Sequence, residues 1–296
     1  MSQTAPSAAS LRAMAEAQAA RLPPLLARAE HLAGTVLLGE HGRRRPGLGD
    51  DFWQYRPVQP GDERRVIDWR RSARSDMQFL LQREWQFAQT VAIWVDNAAS
   101  MRFSSHDDLP EKSDRARLLS LAVAILLNRA GERVGLAGMS LPPKRGEGQL
   151  LRLAEALSQE SEDDYGQPET SGMMAHGRAL FVSDFMGNID QAKTALTKAA
   201  DRGIQGVVLH LLDPAEEAFP YRGRTVFESV GGTLAHETLK ASDLRDRYLD
   251  RLAARKDELR GLCAATGWQY GLSHTTDSVQ STLLWLYRAF DGGPTT

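Results

Sequence analysis

The run Val91-Ala92-Ile93-Trp94-Val95-Asp96 constrains the fold more than any other stretch of the chain. An unbroken apolar segment ends on a carboxylate, and the small, polar turn Asn97-Ala98-Ala99-Ser100-Met101 follows at once. A short apolar run without alternation reads as a strand buried on both faces, as in a parallel sheet covered by helices. The pattern returns at Arg178-Ala179-Leu180-Phe181-Val182-Ser183-Asp184, and again from Val207 to Leu212 before Asp213-Pro214. Helical spacing fills the intervals. Residues 113–129 place Leu118, Leu119, Ala122, Ile125 and Leu126 on a helix closed by Gly131. Further helices are expected over 149–159, 189–202 and 239–266, with a last one capped by Asp277 and running to Phe290. Strands are expected over 132–140 and 267–272, with an edge strand over 224–230. Alternating strands and helices predict an α/β fold with a doubly wound, mostly parallel sheet over residues 89–292. In such sheets ligands sit beyond the carboxyl ends of the strands, so Asp96 and Asp184 are candidate site residues.

The region before this domain reads differently. Residues 1–33 form an N-terminal segment: 1–10 read as a loose terminus, and Leu11–Ala33 as two short helices divided by Pro23-Pro24, with Leu22, Leu25, Leu26 and Leu32 as a packing stripe. Residues 34–88 form an appended region. Met77 to Phe87 alternates as a strand does and is expected to make a hairpin with Val91–Asp96. Leu141 to Gly146 reads as a loop, and the acidic stretch 160–177 as a mobile linker.

Composition excludes several classes. The formal net charge of −2 gives no global attraction to nucleic acid or anionic membrane. The arginine run Arg43-Arg44-Arg45 is followed by Asp50 and Asp51 and has no aromatic stacking pattern, so it reads as a solvated loop. The single cysteine, Cys263, excludes an internal disulfide and fits a reducing compartment. The most apolar helical stretch, 118–127, is shorter than the roughly 20 residues a bilayer needs. No membrane span and a cytoplasmic location are therefore expected.

The most unusual composition lies between Arg56 and Arg74. Arg56, Arg64, Arg65, Arg70, Arg71 and Arg74 are interleaved with Asp62 and Asp68 around Pro60-Gly61-Asp62 and Val66-Ile67-Asp68-Trp69. Guanidinium forks pair bidentately with carboxylates, so one reading is an ion-pair network that locks an irregular segment, with Val66, Ile67 and Trp69 buried. The other is a site for an anion or a partner. Asp96 and Asp184 also admit two readings. They could cap the turns that follow them, or they could present oxygens to a hard cation, with Ser100 adding a hydroxyl.

Two of these segments resemble known patterns. Asp96-Asn97-Ala98-Ala99-Ser100 resembles the metal-ion-dependent adhesion site of von Willebrand factor A domains, whose pattern is Asp-x-Ser-x-Ser. The Arg56–Arg70 stretch, with Ser72-Ala73-Arg74, is similar to the hallmark of the bacterial family known as domain of unknown function 58. That similarity extends to Gly135-Leu136, Pro142-Pro143, Ser183-Asp184-Phe185 and Asp213-Pro214 with Glu216. It implies an A-domain-like sheet and a non-enzymatic adaptor or assembly partner of MoxR-type AAA+ ATPases and their client proteins. The motif residues implied are Arg56, Gly61, Asp62, Arg65, Asp68, Trp69, Arg70 and Arg74. Many members carry N-terminal membrane helices, and none is readable here. The metal pattern is reduced, because Ala98 stands where it has serine and residues 140–148 offer no threonine. Asp96, Ser100 and Asp184 supply three protein oxygens at most, so weak Mg2+ or Mn2+ binding, or none, is expected.

The competing class is a metal-dependent hydrolase or phosphotransferase using Asp96 and Asp184. Haloacid-dehalogenase-like phosphatases place a nucleophilic aspartate at the end of the first strand, but they need a second aspartate where this chain has Ala98. A Gly-x-x-x-x-Gly-Lys phosphate loop is also absent from the sequence.

Overall fold

The computed structural model describes residues 23–36, 46–47, 51–58, 67–72, 77–84, 88–139, 141–228, 235–238 and 242–291. Two compact units are formed, one from Gly39–Ala88 and one from Met1–Leu38 with Gln89–Thr296.

The smaller unit is a three-stranded antiparallel sheet of β1 (Pro46–Gly47), β2 (Asp51–Pro57) and β3 (Phe79–Glu84), in the order β1-β3-β2. A single helical turn, α2 (Trp69–Ser72), hangs from it. The amide of Asp68 donates to the Phe79 carbonyl at 2.9 Å, and the Ser72 hydroxyl accepts from the Phe79 amide at 2.9 Å. Ile67 is buried as expected, but Trp69 is 57% exposed, because its turn faces solvent rather than the sheet.

The larger unit is built on six strands: β4 (Thr90–Val95), β5 (Arg133–Leu136), β6 (Leu141–Lys144), β7 (Arg178–Ser183), β8 (Gln205–Leu212) and β11 (Gln269–His274). Their order is β11-β8-β7-β4-β5-β6, with every pairing parallel except that of β5 with β6. This is an α/β, doubly wound, mostly parallel sheet. A separate hairpin joins β9 (Thr225–Glu228) to β10 (Ala235–Thr238).

Helices cover both faces, and alternate residues of β4 feed the two layers. Val91 and Ile93 pack with α1 (Pro23–Gly34), α3 (Lys112–Arg129), α4 (Glu147–Leu157) and α8 (Val279–Asp291). Ala92 and Trp94 pack with α5 (Ile189–Asp201) and α7 (Ser242–Thr266), where Cys263 is buried. Apart from Asp114 and Arg117, α3 is buried from Lys112 to Leu127, as befits a helix enclosed by other elements. On α1, Ala29, Leu32 and Ala33 supply the stripe that meets it.

Four expectations are corrected. The hairpin of Met77–Phe87 with Val91–Asp96 does not form. β3 joins the smaller sheet, whereas β4, apolar on both faces, takes the centre of the large one, between β5 and β7. Leu141-Pro142-Pro143-Lys144 is a strand rather than a loop. Proline is tolerated on an edge strand, where no outward ladder donor is needed. Its close approach depends on Gly135, where a Cβ would meet the Leu141 carbonyl at 2.6 Å. Asp277 does not cap α8. Its carboxylate accepts from the His274 amide at 2.7 Å, and the Ser278 hydroxyl accepts from Ser281 instead. Finally, the acidic stretch 160–177 is no free linker. Its backbone pairs with the turn after β4 through Ser161 N to Asn97 O at 3.0 Å, Ala99 N to Asp163 O at 2.8 Å and Ser100 N to Asp164 O at 3.0 Å.

Candidate functional site

The sheet order reverses beside β4, whose chain continues to β5 on one side while β7 flanks it on the other. Such a switch point opens a crevice at the carboxyl ends of the strands. Asp96 and Asp184 leave β4 and β7 there, with the amide of Asp96 donating to the Val182 carbonyl at 2.9 Å.

The two carboxylates have different surroundings. Asp96 is 3% exposed. It accepts from the Ala98 amide at 2.9 Å and from the Ser183 hydroxyl at 2.6 Å, and Gly166 of the acidic loop lies directly on the carboxylate, where any Cβ would collide with it. Burial, aided by the negative charge of Asp184, pushes its pKa up to about 6, against the opposing pull of Ser183 and the Ala98 and Gly166 amides. Asp184 is fully buried as well. It accepts from the Met186 amide at 3.0 Å and from the Lys112 ammonium at 2.8 Å. Burial opposes its ionisation, but Lys112 outweighs this and holds it below the usual carboxylate range. The Ser100 hydroxyl, although buried without a hydrogen bond of good geometry, adds to that stabilisation.

The centre of the site is Lys112, which is 1% exposed. Its ammonium also contacts Glu216 at 2.6 Å and lies 5.7 Å from the centre of the Phe103 ring. Burial works against its charge, yet Asp184 and Glu216 more than reverse this and raise its pKa above the usual lysine range. Glu216 is aimed by local chemistry. It is the third residue of the short helix α6 (Pro214–Ala218), in a capping box where Asp213 accepts from Ala215 and Glu216 accepts from the Asp213 amide at 2.7 Å. Burial raises the Glu216 pKa, with Lys112 partly offsetting it. Next to Asp184, Phe185 adopts a left-handed backbone with φ of 46°, a strain of about 1 kcal/mol for a residue with a side chain. Its carbonyl and that of Gly187 accept from Arg255 of α7.

Above these groups lies a cavity of about 490 Å3, lined by Ser100, Lys112, Asp184 and Glu216, by Tyr165 of the acidic loop and by Arg251 of α7. Asp96 is not part of its wall. A second groove of about 580 Å3 continues from it along Phe103, Phe219, Leu244 and Tyr248.

The fold thus brings Asp96, Ser100 and Asp184 together. The donor set does not suit a divalent ion. Both oxygens of Asp96 are engaged, Ala98 contributes no hydroxyl, and an ammonium bridges Asp184 and Glu216 at the point where a dication would need them. Among the described residues, no three His, Cys, Asp or Glu side chains are grouped to hold a metal. Of the motif residues in the smaller unit, Arg56 lies on β2 opposite Leu80, the Asp68 carboxylate accepts from the Arg70 amide at 3.0 Å, and Trp69 and Arg70 are exposed. Gly61, Asp62, Arg65 and Arg74 lie outside the described residues. Lys112 escaped the sequence reading. Its one signal is position, since a lysine in the first turn of a helix opposes the helix dipole and calls for a compensating acid.

A profile described as "Protein of unknown function DUF58" matches residues 54–258, and the chain belongs to that family. It is 26% identical over 243 residues to uncharacterized protein Rv1480 of Mycobacterium tuberculosis and, equally, to uncharacterized protein Mb1516 of Mycobacterium bovis, covering 76% of this chain and 74% of each relative. Among solved structures it is similar to the conserved hypothetical protein BatB of Bacteroides thetaiotaomicron, at 14% identity and a TM-score of 0.38, over 70% of this chain and all of the other. An aerotolerance-related membrane protein of Bacteroides fragilis is similar over the same shares, at 17% identity and a TM-score of 0.38. Among the described residues, no helix is long and apolar enough to cross a membrane.

Proposed function

We propose that the protein is a non-enzymatic interaction module, an A-domain-like adaptor that works with a MoxR-type AAA+ ATPase on client proteins. The strand order, with one antiparallel edge strand beyond β5, supports the A-like assignment. The Arg56–Arg74 motif supports the setting. The observation that carries the reading is the chemistry of the crevice. Its one lysine is closed in a salt bridge with Asp184 and Glu216, and Asp96 is sealed behind Gly166. A phosphotransferase would need Asp96 in the cavity wall as a nucleophile, and it is not there. What the cavity and groove offer instead is aromatic surface with exposed Arg247 and Arg251, the residue types that anchor protein partners. Co-purification of the chain with the MoxR-type ATPase of its own genome tests the reading. Retention in at least one nucleotide state is expected. Failure in the apo, ADP and ATP states alike, or Asp96-dependent hydrolysis of aryl phosphates, would overturn it.

A further inference from the structure

We propose that the Lys112 ammonium is the resident cation of this crevice, standing where a divalent ion would otherwise bridge the carboxylates, and that removing its charge creates a divalent-cation site. The proposal goes beyond the adaptor reading and does not depend on any partner.

Three observations carry it. First, the ammonium is within 2.8 Å of Asp184 and 2.6 Å of Glu216, so it satisfies both acids from one point at the switch of the sheet. A metal ligated by those oxygens would lie about 2.0–2.6 Å from them, in the same space. Second, the backbone that carries the lysine is fixed, and its ammonium is held by the two acids. Lys112 opens α3, whose first turn is held on both sides. The Lys112 amide donates to the Phe103 carbonyl at 3.3 Å, and one turn later Arg115 donates to the Asp277 carbonyl at 3.0 Å and the Ser273 hydroxyl at 3.0 Å. Third, the charge is demanded by the acids and not by the helix, because a cation in the first turn of a helix faces the positive end of its dipole. Without Lys112, the crevice would hold the carboxylates of Asp184 and Glu216 beside the Ser100 hydroxyl. Those are hard oxygen donors that would have lost the one ammonium bonded to both acids, which is the setting in which a dication binds.

The test is a Mn2+ titration of the intact chain, followed by electron paramagnetic resonance, on wild type, Lys112→Met and Asp184→Asn. Wild type is expected to show no saturable binding and no change in Tm between EDTA and Mn2+. Lys112→Met is expected to bind Mn2+ at least about tenfold more tightly than wild type and to gain Tm when Mn2+ is added. Saturable binding by wild type that Asp184→Asn abolishes would overturn the proposal. A folded Lys112→Met chain that gains no Mn2+ affinity would also overturn it. If Lys112→Met does not fold, the wild-type and Asp184→Asn titrations decide alone, with absence of Asp184-dependent binding supporting the resident ammonium.

Discussion

Lys112 stands where a helix ordinarily carries an acid, and the cost is met by Asp184 and Glu216. Its charge is therefore structural. Lys112→Met should lower stability by about 3–5 kcal/mol in urea denaturation without added metal, because two buried carboxylates lose their partner. A loss below about 1 kcal/mol would show that the acids are solvated or protonated in the fold. Asp96 and His210 titrate in opposition. Asp96 has a folded pKa of about 6, so between the ordinary value of 3.8 and about 6 the native state holds a proton that the unfolded chain has released, and stability falls as pH rises through that window. His210, fully buried and hydrogen-bonded to Tyr270, has its pKa lowered by burial to about 4. Between about 4 and 6.5 the unfolded chain holds the extra proton, and stability rises with pH. Each effect spans about 3 kcal/mol, so across pH 4–6 they nearly cancel in the wild type. Asp96→Asn should unmask the histidine and give a stability that drops steeply on acidification from pH 6.5 to 4, measured by denaturant unfolding across that range. An unchanged slope would place the Asp96 pKa near its ordinary value.

Elements differ in how openly the chain announces them. β4, β7 and β8 were legible because a doubly covered strand must be apolar throughout, and α5 because its apolar spacing and Gly203 mark its body and end. β6 was not, since two prolines argue for a loop unless the strand is known to lie at an edge. The 160–177 loop was not legible either. Its acidity and small residues are those of a solvated linker, and only the tertiary fold shows that its backbone pairs with residues 97–100 and that Gly166 covers Asp96. The carboxylates at the strand ends were legible for the same reason as the strands, whereas Lys112 approaches them from another element and leaves only the weak trace of a lysine in the first turn of a helix. Two glycines test the element packing. Gly135→Ala would drive a Cβ into the β6 backbone, which is not free to move aside as a side-chain tip is, and should cost about 1–3 kcal/mol in thermal or urea unfolding. Gly166→Ala should cost a similar amount and return the Asp96 carboxylate toward solvent, seen as a lower Asp96 pKa in a carboxyl NMR titration.

Over the whole molecule, the Arg56–Arg74 segment and the crevice lie in different compact units, and each offers its own test. Trp69 is exposed, and exposed aromatics anchor partners without supporting the core. Trp69→Ala should leave stability within about 0.5 kcal/mol of wild type while weakening retention of the proposed ATPase partner. Lost stability with intact retention would assign the motif a purely structural role. The larger unit presents a doubly wound sheet whose crevice at the strand ends holds the Lys112 ammonium, and that ammonium can be observed directly in the intact chain. The most direct measurement is the 15N resonance of the Lys112 side chain, assigned by its loss in Lys112→Arg and followed with and without Mg2+. The expected result is an ammonium signal, protected from exchange, that persists above the usual lysine titration range and does not respond to Mg2+. A signal that titrates as a solvent-exposed lysine, or that shifts on saturation with Mg2+, would contradict it.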